Sequence, residues 1–158
     1  MLSKLLSKSD CASCRICCEF CNEDKWETPV VTDELKEYIL EKFPEATFEN
    51  YGGNRIMGVR QEDNDLFACL MLDREKGCRL GDNKPFDCRI WPFRLMNFCG
   101  RLVITVSPVC PTMSGKPLSE LQKLAYELAP TIYGEAEKHP EIVKDYIENY
   151  PILVTKKP

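Results

Sequence analysis

Cys11-Ala-Ser-Cys14-Arg-Ile-Cys17-Cys18 is followed three residues later by Cys21, so half of the chain's ten cysteines fall within eleven residues. If the stretch is helical, a step of about 100° per residue places all five on an arc of roughly 120°. If it is a loop, the two-residue gaps still let successive thiolates converge on one ion or cluster. A plain core face is the competing reading, since free cysteine behaves as a small buried hydrophobe. Such a face is normally filled by Leu, Ile and Val instead.

Outward from this stretch, four more cysteines read as a second set: Cys69, Cys78, Cys88 and Cys110. With Cys11, Cys14, Cys17 and Cys18 they form two fours, the second assembled only by folding. A metal cross-link across such long loops removes closure entropy from the unfolded chain. Neighbouring side chains tend to diverge, so adjacent Cys17 and Cys18 are expected to serve two metal atoms, which favours two centres or a polynuclear one. Arginine directly follows cysteine at Cys14-Arg15, Cys78-Arg79 and Cys88-Arg89. Guanidinium groups there would offset the negative charge of a thiolate-bound metal, and Arg15, Arg79 and Arg89 are candidate cofactor-binding residues.

The 158 residues are 44% apolar and 29% charged, the composition of one ordinary globular domain. Nothing approaches an apolar run of membrane-spanning length. Met1 to Asp10 is too short and too interrupted for a signal peptide. A reducing cytoplasm is expected, where ten cysteines point to metal ligation before a disulfide framework. The net charge of −4 argues against a nucleic-acid footprint. No membrane partner is expected, and a redox or protein partner is left unnamed.

Local signals outline an α+β fold. Trp26 to Val31 reads as a short edge strand, and Thr32 or Asp33 caps a helix over Glu34 to Phe43 with Leu35, Ile39, Leu40 and Phe43 on one face. Gly52-Gly53 turns between extended segments around Phe48 and Ile56. Asp65 to Leu72 has strand length, and Asp73 to Gly77 makes a turn. Lys84 to Arg89 is a proline-started helical turn stopping at Trp91-Pro92. Phe93–Phe98 and Arg101–Val106 form a hairpin about Cys99-Gly100, and a loop from Ser107 to Lys116 holds Cys110. From Pro117, apolar stripes at Leu118, Leu121, Leu124, Leu128 and at Ile142, Val143, Tyr146, Ile147 predict two helices, with a break or restart at Pro130. The expected organisation is a single domain, 1–158, whose metal-binding core of short strands and turns, 11–115, is covered by helices over 117–150.

Zinc ribbons fit poorly, because only the N-terminal half carries a Cys-x-x-Cys hook. Iron–sulfur clusters accept more scattered ligation, although the Cys-Pro that closes a ferredoxin run is missing here. His139 is the lone histidine and is not expected to act as ligand or base. Asp63, Asp65 and Asp87 lie near the cysteines in turns, where carboxylates are usually solvated. No catalytic residue is nominated.

The combined pattern resembles the YkgJ-type cysteine-cluster proteins, a family regarded as zinc- or iron-chelating. The residues that carry the likeness are Cys-x-x-Cys-x-x-Cys-Cys at 11–18, Cys69-Leu-x-Leu, Cys78-Arg-Leu, Pro85-Phe-x-Cys88-Arg-x-x-Pro92-Phe93 and Cys110-Pro111. It spans roughly residues 11 to 115, and Trp91 stands where the family often has Tyr. The resemblance implies eight metal ligands, Cys11, Cys14, Cys17, Cys18, Cys69, Cys78, Cys88 and Cys110, and leaves Cys21 and Cys99 as extras. A similar cysteine region occurs in a much longer flagellin lysine methylase thought to hold an iron–sulfur cluster. The leading expectation is thus a metalloprotein with one or two iron–sulfur clusters, of the [4Fe-4S] type, in a redox or cluster-dependent role. The alternatives are a structural zinc module for protein–protein interaction and a metal-dependent component of a methylase-like modifying system.

The segment around Cys11–Cys21 interleaves only Ala12, Ile16 and Phe20 with its cysteines, so it is expected to dock through metal–thiolate bonds more than through burial. On this assignment Cys88→Ser lowers bound metal and destabilises the fold, while Cys99→Ser leaves metal content unchanged. Metal analysis of the two purified variants checks it, and the reverse pattern refutes the ligand set.

Overall fold

A computed structural model describes residues 14–62 and 65–157. The chain is α+β and packs as two compact units, one running to Arg89 and one from Ile90 onward. No described helix is long and apolar enough to cross a membrane.

In the first unit, the cysteine-rich stretch is neither one helix nor a free loop. Arg15 adopts a left-handed conformation (φ 58°), Ile16–Cys18 make a single 3-10 turn, and β1 (Glu19–Cys21) leaves as a strand. The turn closes through the Cys18 amide on the Arg15 carbonyl, 2.8 Å. The helical arc of five sulfurs therefore does not form, because β1 pairs with a distant strand. Glu19, Phe20 and Cys21 face Ala68, Phe67 and Leu66 of β5 (Leu66–Cys69), and β4 (Val59–Gln61) pairs with its other edge.

Residues 26–31 also depart from expectation. A six-residue 3-10 segment, Asn22–Glu27, precedes a single bridge between Val30 and Ile56. Pro29 has no amide to donate, but its carbonyl accepts the Met57 amide at 3.1 Å. Helix α1 (Asp33–Lys42) forms where its cap predicts: the Thr32 hydroxyl accepts the Leu35 amide at 3.4 Å. Ile39 is fully buried, whereas Leu40 lies at the exposed edge of that face. β2 (Phe48–Tyr51) and β3 (Asn54–Met57) are joined by Gly52 and Gly53, both at positive φ, as a tight two-residue hairpin requires.

Gly58 is fixed by a close backbone approach. A Cβ there would collide with the Thr47 carbonyl, which the Gly58 amide already bonds at 2.9 Å. β6 (Leu72–Asp73) and β7 (Gly77–Cys78) form the second hairpin, its turn held by the Asp73 carboxylate accepting the amides of Glu75 and Lys76 at 2.8 Å each. Helix α2 (Phe86–Ile90) follows Pro85 as predicted. The core of this unit joins Val31, Ile39, Met57, Ala68, Met71, Leu72 and Leu80 with Cys69.

In the second unit, β8 (Phe93–Phe98) and β9 (Arg101–Val106) form the predicted hairpin, with Cys99 and Gly100 both at positive φ in the turn. The Cys110 loop contains a short helix, α3 (Pro111–Ser114). Helix α4 (Leu118–Lys138) runs straight through Pro130. Pro130 lies on the exposed side, while Leu121, Leu124, Leu128, Ile132 and Ala136 bury a stripe that packs on β9 and β11. Burial of that stripe on both sides of the proline offsets the ~3 kcal/mol a mid-helix proline costs.

The second predicted helix does not form. Pro140–Ile142 make a 3-10 turn, β10 (Lys144–Asp145) pairs parallel with β8, and β11 (Ile152–Thr155) pairs with β9. Sheet order is β10-β8-β9-β11. Tyr146 sits edge-on to Phe98 at 4.8 Å, a contact that needs the strand. Residues 117–150 are accordingly one helix, a 3-10 turn and one edge strand, β10.

Strand pairing and burial hold the arm bearing Cys17 and Cys18, where docking mainly through metal–thiolate bonds was expected. β1 is paired on β5, and Phe20 is buried. Arg74 bridges Glu19 at 2.9 Å and Glu62 at 3.3 Å, and Arg60 bonds Glu62 at 2.7 Å. Amides of residues 19–21 and 66–69 should therefore keep their hydrogen-exchange protection in metal-free protein. Phe20→Ala should remove it and cost about 3 kcal/mol in denaturant unfolding.

Candidate metal centre

Five of the eight candidate ligands come together in the first unit. Cys17 and Cys18 stand on the 3-10 turn, their sulfurs 3.9 Å apart. Cys69 ends β5, opposite Val59, and is buried. Cys78 ends β7, opposite Leu72. Cys88 lies on α2, its amide bonded to the Pro85 carbonyl at 3.0 Å. Cys18 and Cys78 pack against the core that contains Cys69. Among the described residues no three His, Cys, Asp or Glu side chains are placed to hold a metal ion.

The other candidates are placed differently. Cys11 lies outside the described residues, and Cys14 is exposed. Cys110 is buried in the second unit. Cys21 and Cys99, the two extras, are exposed. No disulfide joins two of the nine described cysteines.

The five thiols act on one another electrically. The Cys18 thiol is pushed far above its ordinary range, first by its hydrogen bond with Cys17, then by burial and by the charges of Cys17, Cys88 and Cys69. Burial pushes the Cys69 thiol up to about 12, with Cys78 and Cys17 adding to the rise. Burial likewise raises Cys78, and raises Cys88 well above the ordinary value, with Cys17 as the first contributing charge on Cys88. Cys17 thus sits within electrostatic reach of all four others.

Opposing groups are aimed at the same sulfurs. Backbone hydrogen bonds from Met71 to Cys69, and from Leu80 and Gly81 to Cys78, favour the thiolate. Gly81, at φ 56°, turns the chain back on Cys78. Arg60 favours the Cys69 thiolate and Lys84 the Cys78 thiolate. Arg60 also reaches the carbonyls of Cys69 and Leu72 at 3.4 Å each, fixing the segment that carries the ligand.

Each of the three arginines nominated from sequence has a defined place. Arg79 bonds Glu45 at 2.8 Å and stacks 4.4 Å over Phe43. Arg89 lies 5.2 Å over Phe86. Arg15 supplies the left-handed residue before the 3-10 turn. Sequence reading missed Arg60, whose three-residue strand is too short to show a period, and Lys84, four residues before Cys88. It also took Asp87 for a solvated turn residue. Asp87 is buried, accepts the Val30 amide at 3.1 Å, and adds to the rise at Cys88. His139 lies in the second unit with Nδ1 3.4 Å from Glu141.

No family model, no curated protein and no solved structure matches this chain. The donor set itself therefore decides what fits. It is all sulfur, suits soft or borderline metals, and has amide and cationic partners already in place.

The thiols also fix a pH signature. In metal-free reduced protein, unfolded thiols ionise near the ordinary 9.0 while Cys69 holds its proton to about 12. The folded state binds more protons in that window, so stability is full below pH 9 and falls as pH rises towards 12. Each pH unit removes about 1.4 kcal/mol per such thiol. A bound cation reverses the sign, because the folded chain then holds thiolates and loses stability on acidification. Denaturant unfolding against pH, with and without metal, reads both slopes.

Proposed function

We propose that this protein is a metalloprotein whose metal is held by the thiolates of Cys17, Cys18, Cys69, Cys78 and Cys88. The observation that carries the reading is that Cys18 and Cys78 pack against the core that holds Cys69, with Cys17 3.9 Å from Cys18 and Cys88 within electrostatic reach of Cys17, Cys69 and Cys78. Soft sulfur donors, in a unit whose sequence has no histidine, suit iron–sulfur or zinc chemistry. Four thiolates serve either a [4Fe-4S] cluster or one tetrahedral ion, and the scattered ligation, with Cys-x-x-Cys spacing only in the N-terminal stretch, favours the cluster. Bound there, it would supply one-electron chemistry in a reducing, cytoplasmic setting. The likeness to YkgJ-type proteins points the same way. Arg60, Lys84 and the amides of Met71, Leu80 and Gly81 would tune the sulfurs.

The sulfur spacing favours a second reading. A tetrahedral ion with bonds of ~2.3 Å to sulfur separates its ligands by about 3.8 Å. Cys17 and Cys18, 3.9 Å apart, fit two corners of one such ion rather than two different metal atoms. That is the arrangement of a structural zinc module.

Anaerobic purification followed by metal and acid-labile sulfide analysis separates them. Brown protein with stoichiometric iron and sulfide is the expected result. Colourless protein with one zinc per chain replaces the cluster with the second reading. Absence of metal after reconstitution with either ends both.

A further inference from the structure

We propose that Arg74 is a positioning residue for the thiols, fixing the arm that bears Cys18 and the turn that leads to Cys78 against the strand pair that carries Cys69. The inference deepens the metal reading and rests on it for the effect on affinity, while the hold on the arm is read without metal.

Three observations combine. Arg74 stands in the turn between β6 and β7, four residues before Cys78. The Asp73 carboxylate stiffens that turn by accepting the amides of Glu75 and Lys76 at 2.8 Å each. From there the Arg74 guanidinium reaches Glu19, the residue after Cys18, at 2.9 Å, and Glu62 at 3.3 Å. Glu62 in turn holds Arg60 at 2.7 Å, and Arg60 bonds the carbonyls of Cys69 and Leu72. One side chain is thereby tied to the segments of Cys18, Cys69 and Cys78.

Burial gives this contact its weight. The Glu19 Oε1 atom that Arg74 meets is buried and makes no aligned hydrogen bond, so the guanidinium is the charge that offsets it. Without Arg74 that oxygen would keep its charge with no cation opposite, which favours turning Glu19 out to water. Cys18 directly precedes Glu19, so the 3-10 turn would shift with it. A guanidinium can fork onto two carboxylates at once, which an ammonium does not match. Half of the Arg74 side chain is exposed, so replacing it leaves the core of the unit filled.

The test compares four full-length, reduced, metal-free proteins: the unaltered chain, Arg74→Ala, Arg74→Lys and Lys156→Ala. The last breaks an ion pair of equal length, 2.9 Å, in the second unit. Hydrogen exchange at residues 18–21 should quicken several-fold in Arg74→Ala. Titration with cobaltous ion should give an affinity about tenfold lower, with a weaker sulfur-to-cobalt charge-transfer band at saturation. Arg74→Lys should recover part of each, and Lys156→Ala should match the unaltered protein throughout. A merely structural role would lower the unfolding midpoint and leave the band unchanged. Unchanged exchange in Arg74→Ala overturns the inference. So does cobalt affinity and a band equal to those of the unaltered chain, and the metal reading then stands. If the unaltered chain takes up no cobalt while exchange quickens in Arg74→Ala, the metal reading fails and the hold of Arg74 on the arm stands. If Arg74→Ala fails to fold, Arg74→Lys carries the comparison.

Discussion

Strand β5 is paired on both edges, and that double pairing fixes the sulfur geometry. On one edge it holds Glu19–Cys21, directly after Cys17 and Cys18; on the other it holds Val59–Gln61, which carries Arg60. Its last residue is Cys69. Side chains alternate along a strand, so a slip of one residue would turn Cys69 away from the core and move Arg60 off its carbonyl partners. The register is pinned by burial of Ala68 and Cys69 and by the chain Arg60–Glu62–Arg74–Glu19, which ties both neighbouring strands to the β6–β7 turn. The individual ion pairs are partly exposed and each adds little. Their joint geometry matters more, because Arg74 touches both edges of the sheet.

A group of thiols inside an apolar core poses a charge problem. Left alone, the sulfurs keep their protons, as the upward push on Cys18, Cys69, Cys78 and Cys88 indicates. Ionising one makes the next harder to ionise, since every thiolate raises its neighbours. The amides on Cys69 and Cys78, with Arg60 and Lys84, offset part of this cost without removing it. On the proposed reading, a bound cation would offset the rest.

How much of this could be seen in the sequence depended on whether a feature was local. The Gly52-Gly53, Asp73–Gly77 and Cys99-Gly100 turns and the Thr32 cap are set by residues within a few positions, and each appears where the pattern placed it. The α+β class followed from them. Residues 142–147 carry apolar spacing that suits a helix, yet a parallel partner almost fifty residues earlier makes part of them a strand. Pro130 was read as a break because the sheet beneath α4 was invisible. At the site, spacing and motif singled out eight cysteines, of which Cys17 and Cys18 are neighbours and Cys18 and Cys78 pack against the core that holds Cys69. Arg60 was not legible, because its importance comes from reaching the Cys69 carbonyl across a strand pair.

The pairing of β1 with β5 changes what a metal would do here. Were the arm at Cys17–Cys18 loose, binding would have to close a loop of ~50 residues to reach Cys69, at about 3.5 kcal/mol in chain entropy. The strand ladder and buried Phe20 have already brought the two ends together. The β6–β7 hairpin and the Pro85-started helix do the same for Cys78 and Cys88 over shorter spans. On the proposed reading, a metal would spend less of its binding free energy on folding this unit than it does in small zinc domains that are unfolded without metal. The same pairing explains how a 3-10 turn with few apolar residues can present two thiols in a fixed geometry before any ligand arrives.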